Sequence, residues 1–164
     1  MSKDNDTITT FDGTVHPKAD LLEDMMDDDF YYGYLGKEAL SCSLLKVILQ
    51  SPKKYLDLIE NGQKETQPLR DGKLLHMAVL EPDKFEDLIV VDVKSKNTKA
   101  YKEAVEEYGT VYTTPEIETA LALASSLHDN AKVEKILNNA EFEVPAIAMI
   151  DGIPFRGKAD ILKG

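Results

Sequence analysis

Two acidic residues near the end of the sequence, Glu143 and Asp160, stand on either side of Asp151-Gly152 in the stretch EFEVPAIAMIDGIPFRGKADIL. An Asp-Gly pair between two apolar runs is a strong short-range signal for a tight β-hairpin, because both turn positions need positive φ. In a hairpin centred there, Glu143 and Asp160 fall near the open end of adjacent strands, within reach of one cation. Hard divalent ions such as Mg²⁺ take oxygen ligands and keep several waters, so two or three carboxylates suffice. A cation held in that way activates water and stabilises the charge that develops on a phosphodiester. On spacing alone the case is weak, since an exposed Glu and Asp at strand ends are commonplace.

Other chemistry-bearing residues are weaker on their own. His76 lies in a helical stretch beside Leu75 and Val79, where a lone histidine is usually a packed or surface residue. Asp92-Val93-Lys94 is an Asp-x-Lys at the end of a predicted strand and reads best as a solvated strand-end pair. His16 and His128 have no convincing constellation. Cys42, the single cysteine, has no catalytic partner and reads as a small buried hydrophobe. The sequence contains no glycine-rich phosphate loop, Cys-x-x-Cys pair or Gly-x-Ser-x-Gly elbow.

Positioning these residues falls to a run of helices followed by the hairpin, an α+β pattern. Ser41–Ser43 caps a helix carrying Leu44, Leu45, Ile48 and Leu49. Ser51-Pro52 supplies an N-cap and an N1 proline for a second, with Tyr55, Leu56 and Ile59 inward and Gly62 as its stop. Pro68 opens a third helix, with Leu75, Ala78 and Val79 as candidate core positions. Leu88 to Val93 is a β-branched run that predicts a strand. Helices follow over 97–108, from Thr114-Pro115 to about Leu127, and from Asp129 or Asn130 to Asn138 and Asn139. Glu143–Ile150 and Ile153–Leu162 are the hairpin strands.

At 164 residues, 43% of them hydrophobic, the chain fits one modest domain. One cysteine excludes an internal disulfide, and no apolar run has the length of a signal peptide or a membrane span. These features point to a soluble protein of a reducing, cytoplasmic compartment. The net charge of −11 is uneven: residues 1–34 carry nine acids against Lys3 and Lys18. Residues 1–36 therefore read as an acidic, poorly structured head, with Phe30, Tyr31, Tyr32 and Tyr34 docking its end onto the body. Such a head repels phosphate, and no basic patch of a generic nucleic-acid binder is present. Its sharper readings are a contact for a basic partner or a mimic of nucleic-acid charge.

The order of motifs resembles a known family. SPKKY at Ser51–Tyr55, GKLLH at Gly72–His76, VLEPDKF at Val79–Phe85 and GKAD at Gly157–Asp160 are similar to the N-terminal half of RecE, or exonuclease VIII-type, nucleases of the PD-(D/E)XK superfamily. The resemblance covers about Leu40 to Leu162. It implies that residues 37–164 are the N-terminal portion of a nuclease domain, mainly helical and leading into the first hairpin of the core. It also implies phage or prophage origin and a Mg²⁺-dependent enzyme, with Mn²⁺ also suitable, that resects linear double-stranded DNA for recombination. His76 then corresponds to a helix-borne histidine near the metal, Glu143 to a supporting strand glutamate and Asp160 to the first essential metal-binding aspartate. Charge and position, apart from the family, make Arg156 and Lys158 candidate contacts for DNA phosphate. A single-strand annealing protein is the implied partner, and a homo-oligomer the implied assembly of the complete protein.

The family also requires an (Asp/Glu)-x-Lys on the strand after Asp160, and the sequence runs only to Gly164. Asp92-Val93-Lys94 precedes Asp160 and is not that element. The expectation is an incomplete and inactive nuclease fragment. The alternative is a catalytically dead, acidic protein that binds or inhibits a host DNA-processing partner, its head standing in for phosphate.

Overall fold

The computed structural model describes residues 6–164. Along the chain run β1 (Thr7–Thr9), β2 (Val15–Pro17), α1 (Lys18–Asp24), a π-helix (Asp29–Tyr34), α2 (Leu35–Glu38), α3 (Cys42–Gln50) and α4 (Pro52–Asn61). There follow α5 (Gln67–Leu80), α6 (Pro82–Glu86), β3 (Val90–Val91), α7 (Lys99–Tyr108), β4 (Tyr112–Thr113), α8 (Thr114–His128), α9 (Ala131–Leu137), β5 (Glu141–Ile150) and β6 (Ile153–Leu162). This is an α+β chain, and it divides into two units. One comprises the residues up to Lys64 with Glu143–Leu162, and the other Glu65–Phe142 with Lys163–Gly164.

The first unit corrects the reading of the acidic head as poorly structured. From residue 6 the head is folded; residues 1–5 of that reading lie outside the described residues. Strands β1 and β2 pair antiparallel with Ile8 opposite His16. Ile8, Leu21, Met25, Tyr31 and Leu35 of the head are buried together with Ala39 and with Ile147 of β5. The acids point outward while this sparse apolar set points inward, which net charge alone does not reveal. Just after the head, Leu40 ties the chain to the hairpin through its backbone. Leu40 N–H donates to Pro154 at 2.8 Å, and Arg156 N–H donates to Leu40 at 2.8 Å.

Helices α3 and α4 begin as their caps dictate. Ser41 Oγ accepts from Leu44 N–H and Ser51 Oγ from Lys54 N–H, each at 3.3 Å. The chain leaves α4 at Gly62 with φ 72, a conformation open to glycine at little cost. Neither helix buries a residue fully, and Leu49 and Leu56, expected on the inward faces, are exposed. Cys42 is exposed as well, a correction to the buried reading. It occupies the first position of α3, beside its cap and off the apolar stripe.

In the second unit α5 buries Arg70, Leu74 and Met77, one stripe at helical spacing. The expected Leu75, Ala78 and Val79 are half-buried at its flank. The stripe is rotated because Leu74 and Met77 pack with Ala120 of α8 and with Tyr112. The strand expected over Leu88–Val93 is shorter. Only Val90–Val91 pairs, in parallel with Tyr112–Thr113, and a Val93 N–H to Val91 bond of 2.8 Å turns the chain away. Helix α8 starts where Glu116 reaches back to Thr113 N–H at 2.9 Å, and α9 where Asn130 Oδ1 accepts from Lys132 and Val133. No helix among the described residues is long and apolar enough to cross a membrane.

Candidate metal site and the cationic strand beside it

Strands β5 and β6 are neighbours in one sheet. They are joined by Asp151 at φ 50 and Gly152 at φ 78, as the Asp-Gly turn requires. That turn fixes which residues of the two strands face one another. Near the open end, carboxylate oxygens of Glu143 and Asp160 lie within 4.8 Å of each other. Two oxygens on opposite sides of one Mg²⁺ are at most ~4.2 Å apart, so a small side-chain adjustment suffices for a shared ion. The donor set, two carboxylates with Asp160 open to water, fits a hard divalent cation.

Glu143 carries a second mark of a built site. It has φ 52 within an extended strand. Asn139 and Asp151 also have positive φ, but short polar side chains tolerate that region, whereas for glutamate it costs about 1–2 kcal/mol. Strain of this kind persists where the surroundings over-determine it, and it concentrates at ligand clamps and active sites.

Alternation along β6 puts Arg156, Lys158 and Asp160 on one face. The Arg156 guanidinium lies 4.2 Å from the centre of the Tyr31 ring, and the Lys158 ammonium 4.7 Å from it. Tyr31 is itself packed edge-on against Tyr32. Lys158 Nζ donates to Asp28 Oδ1 at 3.0 Å, with the Lys158 side chain only 6% exposed and Asp28 46%. Arg156 is 9% exposed, and its Nε has no hydrogen-bond partner among the described residues. Burial pushes Arg156 below its ordinary pKa, against the pull of Tyr31 and Tyr32. Burial likewise raises the Tyr31 phenol, with Arg156 opposing. The cations expected to meet DNA phosphate are thus covered by the head, one by an aromatic ring and one by ring and carboxylate.

His76 sits on α5 of the other unit, between the buried Leu74 and Met77, and is about one-third exposed. Its Nε2 lies 3.7 Å from Glu81 Oε2, while Glu81 also holds Lys84 at 2.6 Å. Asp92 and Lys94 are both exposed, and Asp92 accepts from Thr114 Oγ1 at 3.2 Å. That is the solvated strand-end arrangement expected for the Asp-x-Lys. His16 bonds Tyr34 at 3.0 Å and His128 pairs with Glu134 at 3.1 Å. Sequence reasoning missed Asp28, one acid in a run of acids, and the strain at Glu143, for which no residue pattern is a signal.

Residues 41–164 match a family model described as a PDDEXK-like domain of unknown function (DUF3799). Neither curated proteins nor solved structures give a match.

Proposed function

The chain belongs to the PDDEXK-like domain family DUF3799, and on that premise we propose that it is part of a metal-dependent DNA nuclease acting on linear duplex ends. The observation that carries this reading is the Glu143–Asp160 carboxylate pair, held within 4.8 Å and anchored by a strained backbone at Glu143. His76 is proposed as the third ligand from its place in the family pattern. Mg²⁺ or Mn²⁺, when bound, supplies an activated water and neutralises charge on the scissile phosphate. The chain's own contribution is to hold that ion. Glu143 and Asp160 provide negative charge from adjacent strands, and the hairpin turn fixes their separation.

In the family pattern the second acid and the lysine come from the strand that follows Asp160, so the activity is proposed for the protein that carries that strand. A single-strand annealing protein as partner and a homo-oligomeric assembly belong to the same proposal. The test is degradation of linear duplex DNA in Mg²⁺ or Mn²⁺ by that protein and by its Asp160→Ala variant. Loss of at least ~100-fold in rate is expected of a residue that holds the metal, since changes to the partners of metal ligands already cost ~10–100-fold. Equal rates would refute the reading.

A second reading, an acidic protein that binds a DNA-processing partner, is favoured by one observation. The acidic head is a folded part of the first unit. Binding to such a partner that is indifferent to EDTA and to Asp160→Ala would select it.

A further inference from the structure

Lys158 is covered almost completely, yet the carboxylate that neutralises it is half open to solvent. A buried ammonium normally owes its charge to a partner as enclosed as itself. Here the partner is the outermost component, at the surface of a turn that leads into the π-helix, a rare conformation that recurs at functional sites. Behind it lies a second cation, Arg156, whose Nε–H has no hydrogen-bond acceptor among the described residues. Both cations are braced by the Tyr31 ring, and Lys158 bonds the Asp28 carboxylate. Tyr31 belongs to the buried core of the first unit, so lifting it from the two cations would disrupt that core. Asp28, half open to solvent, is the exchangeable member of the pair.

We propose that Asp28 is a built-in stand-in for a nucleic-acid phosphate, occupying Lys158 in the free protein and exchanged for a DNA backbone phosphate when a duplex lies along β6. A phosphodiester carries the same single negative charge as a carboxylate, so the exchange leaves Lys158 neutralised throughout. Asp28 thereby lowers affinity for stray anions and sets a threshold that only a correctly placed backbone passes. The proposal rests on the nuclease reading and adds regulation of DNA entry to it.

The experiment is fluorescence anisotropy of a labelled linear duplex with the 164-residue chain, in EDTA so that no metal contributes. Asp28→Asn is compared with wild type, and again in Lys158→Gln and Lys158→Arg backgrounds, with melting curves to confirm folding. Asp28→Asn should tighten binding about five-fold, the scale of a half-exposed ion pair. It should also steepen the dependence of log K on log salt by about 0.9, one further phosphate contact without a released carboxylate. Lys158→Gln should cancel both effects, and Lys158→Arg should keep them. Unchanged or weaker binding by Asp28→Asn, a gain that survives Lys158→Gln, or no binding by any variant would each overturn the proposal. Displacement of the duplex by equimolar inorganic phosphate would assign the site to a free anion and overturn it equally. Failure of the nuclease reading is seen separately, as absence of Mn²⁺ binding by calorimetry in wild type and Asp28→Asn alike.

Discussion

Glu143 and Asp160 reach toward one another from adjacent strands, with carboxylate oxygens within 4.8 Å. Without a cation this places like charges close together, an arrangement that raises the free energy of the ionised pair. A divalent ion reverses the sign of that contribution. The chain should therefore melt at a higher temperature in Mn²⁺ or Mg²⁺ than in EDTA. At a hundred-fold excess over Kd the gain is about 2.7 kcal/mol. Asp160→Asn should abolish the gain while leaving the EDTA melting temperature unchanged or slightly raised. A metal-induced shift of the same size in Asp160→Asn would place the ion elsewhere.

The backbone at Glu143 permits a sharper test of whether its strain serves the carboxylate. At φ 52, glycine fits without the penalty that any Cβ incurs. Glu143→Gly should then be more stable than Glu143→Ala by about 1 kcal/mol, the reverse of the usual order within a strand. Both substitutions should lose metal binding equally. If alanine proves the more stable, the strand is not strained there.

The elements that follow the head were legible because caps and turn residues act locally. Ser41, Ser51, Asn130 and Asp151-Gly152 each do in the structure what their chemistry predicts. The head was misread because its signal is diluted. Ile8, Leu21, Met25 and Leu35 are too widely spaced among acids to show a period, and their burial depends on Ile147, more than a hundred residues later. The same distance hides the Asp28–Lys158 pair. In α5, Arg70 occupies an apolar-stripe position that pattern reading leaves to a hydrophobe.

That arginine is the centre of the most enclosed polar network in the second unit. Arg70 Nε donates to Glu116 at 2.7 Å and Nη1 to Glu65 at 3.0 Å. Nη2 donates to the Val111 carbonyl, and the guanidinium stacks on Tyr112 at 4.1 Å. Removing Glu116 leaves the buried guanidinium with only the half-exposed Glu65 carboxylate as counter-charge, at a cost toward the lower end of the ~3–5 kcal/mol of a broken buried pair. Glu116→Ala should therefore destabilise severely in urea melts, whereas Glu103→Ala, which breaks an exposed pair with Lys99, should cost no more than ~0.5 kcal/mol. Arg70→Met, which removes the charge but keeps volume, should be milder than Glu116→Ala.

The same network gives the chain a defined acid limit. Burial raises the pKa of Glu116, but hydrogen bonds from Gln67, Lys96, the Thr113 backbone and Arg70 outweigh it and hold the carboxyl well below its ordinary 4.5. The unfolded chain thus binds a proton at Glu116 more readily than the folded one. Its contribution to stability is complete above pH 4.5 and declines as the pH falls through the acid range toward the folded pKa. Urea midpoints measured from pH 6 down to pH 3 should fall in wild type. The fall should be shallower in Glu116→Gln, which starts from a lower midpoint and has no proton to take up at that position. Parallel curves for the two proteins would show that other carboxylates set the acid limit.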